Sequence, residues 1–439
     1  MTFGIIGGGW AGLLSALELK KTNPKLKIEV LEKESEKNFG GLLRSETIDG
    51  FTYDIGGPHI LFSKNREILN SVLEILEENW KLMERKNFIH FDEKILPYPF
   101  ENGIYMLPPS DRAKIGFEIL RNLIRMESNR DWVPNSFHDW IYDIFGHEMG
   151  SRYLEPYNRK IWKRDLRSFD ASWVFTPGRL PLPSMEDIIY SISGVETTGY
   201  KEQAHFYYPK NGGIQTLYDS ILSKVKGMGV EIISSIDVKK IRKDQEGKLV
   251  VNDRFIYDKL VSTMPIGNLV KAIDAPDEIT GCAKNLDYNQ VVVCGFALDQ
   301  PSPDRITLYV PQEDVIFHRY TWMNNLVSFS PAGKSNLIVE ITVPKNQKIE
   351  VDRLLELAKI GLIKLGIIDD ERKIIHSKAW VNKYGYPVYM KGHNHIRNKI
   401  MNYINTLGIT SVGRWGSWHY WNTDKVLEAV IENTENSIS

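Results

Sequence analysis

The chain has 439 residues, 42% of them hydrophobic and 25% charged, and its 55 basic and 56 acidic side chains leave a formal charge of −1. That length predicts two to three domains with a sizeable core, and the balanced charge excludes a global field that would recruit nucleic acid or an anionic membrane. Two cysteines, Cys282 and Cys294, are too few for a disulfide framework and point to a reducing cytoplasm. No apolar run approaches the ~20 residues of a membrane helix, so no membrane insertion is expected. The apolar N-terminus lacks the basic flank of a signal peptide.

In chain order, 2–7 reads as a short apolar strand, 10–21 as a helix and 27–33 as a second buried strand, together one βαβ unit. The stretch 42–60 alternates polar and apolar residues around a turn at Asp49-Gly50. Apolar residues at helical spacing predict helices over 65–82, 110–126 and 137–153, with Ser110 near an N-cap, and a strand pair, 88–91 and 94–98, interrupts them. The segment 207–213 breaks this region and leads into a helix over 214–226. Strands follow at 230–233, 238–243, 248–251 and 260–264, then a β-rich block from 291 to 342, a helix over 351–365, a buried strand at 409–412 and a closing helix at 426–433. The pieces of the nucleotide fold lie far apart, which predicts interleaved domains. The expected fold is α/β. A doubly wound, Rossmann-like domain combines 1–96, 205–265 and 396–439, a mostly helical insertion spans 97–204, and an antiparallel sheet spans 266–395.

Gly7-Gly8-Gly9-Trp10-Ala11-Gly12 satisfies G-x-G-x-x-G directly after a strand and at the opening of a helix. Gly7 and Gly9 let the backbone turn tightly against a pyrophosphate, and Gly12 lets helix and strand pack closely. The helix start, including Trp10 and Ala11, offers free N–H groups and a positive dipole end. Glu32 ends the second strand 20 residues beyond Gly12, where a carboxylate receives a ribose hydroxyl, with Lys33 beside it.

The sequence then departs from what NAD requires. Asn38-Phe39-Gly40-Gly41-Leu42-Leu43-Arg44-Ser45 carries a second glycine pair, and Tyr53-Asp54-Ile55-Gly56-Gly57-Pro58-His59 follows. Both resemble the loops that glutathione-reductase-like flavoproteins, amine oxidases among them, lay along the diphosphate and ring of FAD. Gly413-Arg414 after the last strand, with Asn422 and Asp424 opening the last helix, resembles the closing motif of that superfamily. The resemblance implies FAD as the cofactor.

A narrower resemblance spans most of the chain. GGLLRSETIDGFTYDIGG, ILPYPFENGIYMLP, SFHDWIYDIFG, LEPYNRKIWK, FYYPKNGG, IFHRYTWMNN, YGYPV and GRWGSWHYWNTD are similar, in order, to UDP-galactopyranose mutases, more to the eukaryotic type than the bacterial. That family interconverts a UDP-hexopyranose and its furanose form without net redox change: N5 of reduced FAD attacks the anomeric carbon and expels UDP. The resemblance implies activity only after reduction, by dithionite or NAD(P)H. Two arginines would clamp the diphosphate bidentately: Arg179, in the helical insertion, and Arg319, in Phe317-His318-Arg319-Tyr320. His59 would support a backbone carbonyl facing the flavin N5–H. Tyr386 and Tyr420 match tyrosines that approach the diphosphate. Tyr157, Asn158 and Trp162 match a segment at the substrate cleft. Asn158 would meet a uridine or sugar hydroxyl, and Tyr105 and Trp162 are candidates to stack on uracil, though core packing explains them equally well. The rival readings are an oxidoreductase of the amine-oxidase or protoporphyrinogen-oxidase type, and an FAD-bearing scaffold or sensor.

Overall fold

A computed structural model describes residues 1–129, 131–175, 184–197, 204–327 and 330–438. Its nucleotide sheet has five parallel strands in the spatial order Ile409–Ser411, Lys259–Ser262, Thr2–Ile6, Lys27–Leu31, Glu231–Ile233. A parallel sheet is buried on both faces, which is why these strands read as short apolar runs. The helix Trp10–Thr22 crosses between the first two strands and buries Leu13, Leu14, Leu17 and Leu19. It is wedged against the helices Gln215–Gly227 and Thr423–Ile438, so its apolar residues occupy more than one stripe.

The second layer is a seven-stranded sheet ordered Ile374–Val388, Asp287–Leu298, Ser335–Pro344, Arg319–Trp322, Thr307–Tyr309, Asn87–Phe91, Lys94–Pro97. The strand Asp287–Leu298 is covered on both sides. Val292, Cys294 and Phe296 join the apolar cluster that includes Ala358 and Leu362 of the helix Val351–Lys364, while Val291, Val293 and Ala297 face the main core. The helical part contains Pro109–Ser128, Phe137–Met149, a π-turn at Gly150–Leu154, Glu155–Trp162 and Met185–Ile192. Gly146, at φ 78°, breaks the second of these helices.

Several elements differ from the sequence reading, each for a local reason. The helix expected over 65–82 is only Arg66–Ile75, capped by the Asn65 side chain, which accepts from the N–H groups of Glu67 and Ile68. Glu77 at φ 54° turns the chain, and Trp80–Glu84 becomes a strand paired with His205–Pro209, which overlaps the segment 207–213 read as a break. The helix placed at Ser110 begins one residue earlier at Pro109, a proline being well suited to a first helical position. The hairpin Asn87–Phe91/Lys94–Pro97 belongs to the seven-stranded sheet, because Asn87–Ile89 pairs in parallel with Thr307–Tyr309. Residues 87–96 are therefore not part of the nucleotide layer.

Candidate active site

The first helix carries no side-chain cap. Gly9 holds the N-cap position and the first turn has no acidic residue, so the N–H groups left over at its start are available to an anion. A β-carbon on Gly12 would stand 1.9 Å from the Gly7 carbonyl oxygen, an approach only glycine permits. Here a cavity of about 560 Å³ opens, lined by Gly7, Gly9, Trp10, Ala11, Glu32, Lys33, Gly40, Gly41 and Leu42 together with His59, Gly413, Arg414 and Asn422. The Glu32 carboxylate accepts the Gly8 N–H at 2.6 Å and the Glu34 N–H at 2.8 Å, which fixes it beside the glycine turn. Trp10 donates its indole N–H to the Thr423 carbonyl at 3.1 Å and so ties the first helix to the last. A glycine-walled channel with an uncapped helix start and an anchored carboxylate matches the phosphates and ribose of FAD. Asp424 stands apart: it is buried, does not line the cavity, and hydrogen-bonds Ser63.

A smaller cavity of about 230 Å³ adjoins the first and shares Leu42, His59, Asn382, Arg414, Asn422 and Thr423 with it. Arg319, Tyr386, Tyr420 and Pro58 are in its wall. Arg319 and Glu340 face each other directly across neighbouring strands. The guanidinium donates from Nε to Oε1 at 2.6 Å and from Nη2 to Oε2 at 2.8 Å, and Nη2 also reaches the Tyr386 hydroxyl at 3.3 Å. Tyr386 in turn donates to Glu340 Oε2 at 2.8 Å. Burial opposes the charge on Arg319, yet the facing carboxylate outweighs it and holds the guanidinium protonated well above its ordinary range. One fork of Arg319 is thus already taken. The Nη1 group, which makes no hydrogen bond among the described residues, is what remains for a ligand, in contrast to the bidentate phosphate grip expected from sequence.

His59 Nδ1 lies 2.8 Å from the Gly57 carbonyl oxygen. A carbonyl can only accept, so Nδ1 carries the proton. Burial, the Arg414 charge and the Arg319 charge together push the His59 pKa down to about 3 against the pull of that carbonyl. The ring is therefore neutral near pH 7 and presents Nε2 as an acceptor.

The other expected substrate residues are placed differently. Arg179 lies outside the described residues. Tyr105 receives no place in either cavity; its backbone N–H donates to Ser191 Oγ and its phenol faces Glu196. Asn158 spends its amide inside its own helix, donating to the Leu154 carbonyl at 2.8 Å and accepting from Trp162 Nε1 at 3.2 Å. Trp162 is buried with its ring among Phe169, Trp173, Tyr386 and Tyr420, so it braces the two tyrosines and offers no face to a ligand. Tyr157 packs against Tyr309 and His318, one ring behind the wall. Tyr157, Asn158 and Trp162 share one cause: the helix Glu155–Trp162 turns these side chains inward.

The wall also holds residues the sequence reading passed over. Arg85, Asn87, Tyr98 and Tyr309 line the smaller cavity, with the two tyrosine rings 4.5 Å apart. Glu340 had a visible signal: it is the single charge in the strand Ser335–Pro344, flanked by Val339 and Ile341. Arg85 had none, because the strand Trp80–Glu84 that it follows is recognisable only through its distant partner.

With this geometry in hand, the chain belongs to the flavin containing amine oxidoreductase family, whose model matches residues 10–423, and FAD is its cofactor. Its structure superposes on that of a reduced UDP-galactopyranose mutase with a TM-score of 0.88 at 25% identity, covering 100% of this chain and 93% of that one. It is also similar in fold to a putative protoporphyrinogen oxidase from Exiguobacterium sp. 255-15, with a TM-score of 0.75 at 16% identity and coverage of 99% and 98%. By sequence it is 22% identical over 288 residues to the coproporphyrinogen III oxidase of Staphylococcus aureus, a match spanning 60% of either protein.

Proposed function

We propose that the chain is a flavin-dependent mutase of the eukaryotic-like type that interconverts UDP-galactopyranose, or a related nucleotide sugar, and its furanose form without net redox change. The observation that carries this reading is the pair Arg319 and Tyr386, both hydrogen-bonded to the buried Glu340, in the wall of a cavity adjoining the flavin site. The likeness to a reduced UDP-galactopyranose mutase supports it. When bound and reduced, FAD would supply a nucleophilic nitrogen to the anomeric carbon. The residues of the chain do the rest. Arg319 Nη1, with Arg85 and Arg414 in the same wall, takes up the charge of the departing diphosphate. Glu340 keeps Arg319 in one rotamer, so little ordering is left for the moment of reaction. Neutral His59 holds the Gly57 carbonyl in place. Tyr98 and Tyr309 offer the uracil an aromatic surface, and Arg179 would add the second grip on the diphosphate. NAD(P)H in the cytoplasm is the expected reductant.

An oxidase acting on a porphyrinogen is the second reading, favoured by the Staphylococcus aureus relative. Three guanidinium groups around about 230 Å³ suit a compact anion better than a tetrapyrrole. Thermal unfolding of the dithionite-reduced, FAD-loaded protein tests the choice. UDP at a hundredfold excess over its dissociation constant should stabilise it by about 2.7 kcal/mol. No shift with UDP, and a shift with a porphyrin, would replace the mutase reading with the oxidase one.

A further inference from the structure

Asn382 stands where the two cavities meet, and no role has yet been given to it. It lies within the strand Ile374–Val388, a place asparagine disfavours, between the exposed Val381 and Lys383. Such a local mismatch marks a residue kept for something other than strand formation. The strand is distorted just beyond it. Val291 pairs with Asn382 and Asn289 with Tyr386, so residues 383–385 face Gln290 alone across a β-bulge. Gly385 closes that bulge: a β-carbon there would sit 2.3 Å from Val291 Cγ2. Bulges of this kind occur beside active sites, where they aim side chains.

The Asn382 amide has its orientation dictated by its partner. Nδ2 donates to the Ile55 carbonyl at 2.7 Å, and because a carbonyl only accepts, the amide cannot be turned around. Ile55 belongs to the loop 54–59, whose next turn is closed by the Gly57 N–H to the Asp54 carbonyl at 3.0 Å and by His59 on the Gly57 carbonyl at 2.8 Å. Asn382 therefore pins this loop from the opposite sheet, while its Oδ1 makes no hydrogen bond among the described residues and the residue lines both cavities. The glycine turn and Glu32 fix the nucleotide end of FAD, so its reactive ring belongs at the wall that the two cavities share.

We infer that Asn382 is a positioning residue for the flavin: its N–H fixes the Ile55 side of the loop, and, because the Gly57 carbonyl already accepts from His59, its amide oxygen serves, in place of the loop carbonyl expected from the sequence, as the acceptor for the N–H that the ring gains on reduction. An acceptor there opposes the lone pair of the oxidised ring and favours the reduced ring, so it raises the reduction potential. The inference rests on the flavin family alone and is independent of the sugar-nucleotide reading.

The test is the two-electron midpoint of the FAD-loaded protein by dye equilibration, with Asn382→Leu and Asn382→Ser beside the parent. Serine keeps a small polar side chain, so that one variant folds and loads if leucine does not. At a fixed dye potential the oxidised-to-reduced ratio should rise about tenfold in the variants, about 30 mV for a two-electron couple, with a displaced visible flavin band. A purely structural asparagine would lower the unfolding temperature and leave both readings alone. A loaded variant with unchanged midpoint and band overturns the inference, whatever the sugar assays give.

Discussion

Arg319→Ala is expected to weaken UDP binding to the reduced protein by one to two orders of magnitude, on the order of 2 kcal/mol for a charge-assisted contact to a diphosphate. The same substitution should also destabilise the fold. Glu340 is 1% exposed and depends on Arg319 for two of its hydrogen bonds. Removing one member of a buried pair costs about 3–5 kcal/mol, because the remaining charge is left uncompensated. The two effects separate in the double variant Arg319→Met/Glu340→Leu. Replacing both charges with apolar groups should recover most of the stability and none of the UDP affinity. Calorimetric titration beside thermal unfolding reads both. Full UDP affinity in Arg319→Ala would remove this residue from the site.

Gly12→Ala should abolish retention of FAD. The added carbon would stand 1.9 Å from the Gly7 carbonyl oxygen, backbone that no rotamer change can move aside. Helix and strand must separate, and overpacking of this kind costs about 1–3 kcal/mol. The separation would pull the uncapped N–H groups of the helix start away from the phosphates, so the purified variant should be nearly colourless while keeping its helical circular dichroism. Gly9, whose β-carbon would meet nothing within 4 Å, is the control: alanine there fits the fold and should perturb only the cofactor. Normal flavin content in Gly12→Ala would mean that the close approach is not what forms the site.

How much the sequence disclosed follows from the range of the interactions involved. The βαβ unit was legible because its parts lie within thirty-odd residues: a strand, a glycine turn, an uncapped helix and Glu32. The hairpin Ser45–Ile48/Phe51–Asp54 was legible from the Asp49-Gly50 turn. Trp80–Glu84 was not, since its helical spacing of apolar residues competes with a strand partner more than a hundred residues away. In the site, motif matches singled out Arg319 and Tyr386 but said nothing of Glu340, the group that sets the reach of both. Trp162 and Asn158 stand away from the cavity for the opposite reason. Their residue types suit a ligand, and only the packing of Phe169, Trp173 and Tyr420 around the indole shows that the helix turns them inward. Tyr98 and Tyr309, drawn together from separate strands, needed three dimensions to be seen as a pair.

The central claim is that guanidinium groups hold a sugar diphosphate against the reactive ring of a reduced flavin. Incubating the FAD-loaded protein with UDP-galactofuranose and separating the products by chromatography tests it most directly. The dithionite-reduced protein should form UDP-galactopyranose over many turnovers, and the oxidised protein should form none. Equal turnover by the oxidised protein, or consumption of dioxygen with a porphyrinogen in place of any sugar conversion, would contradict it.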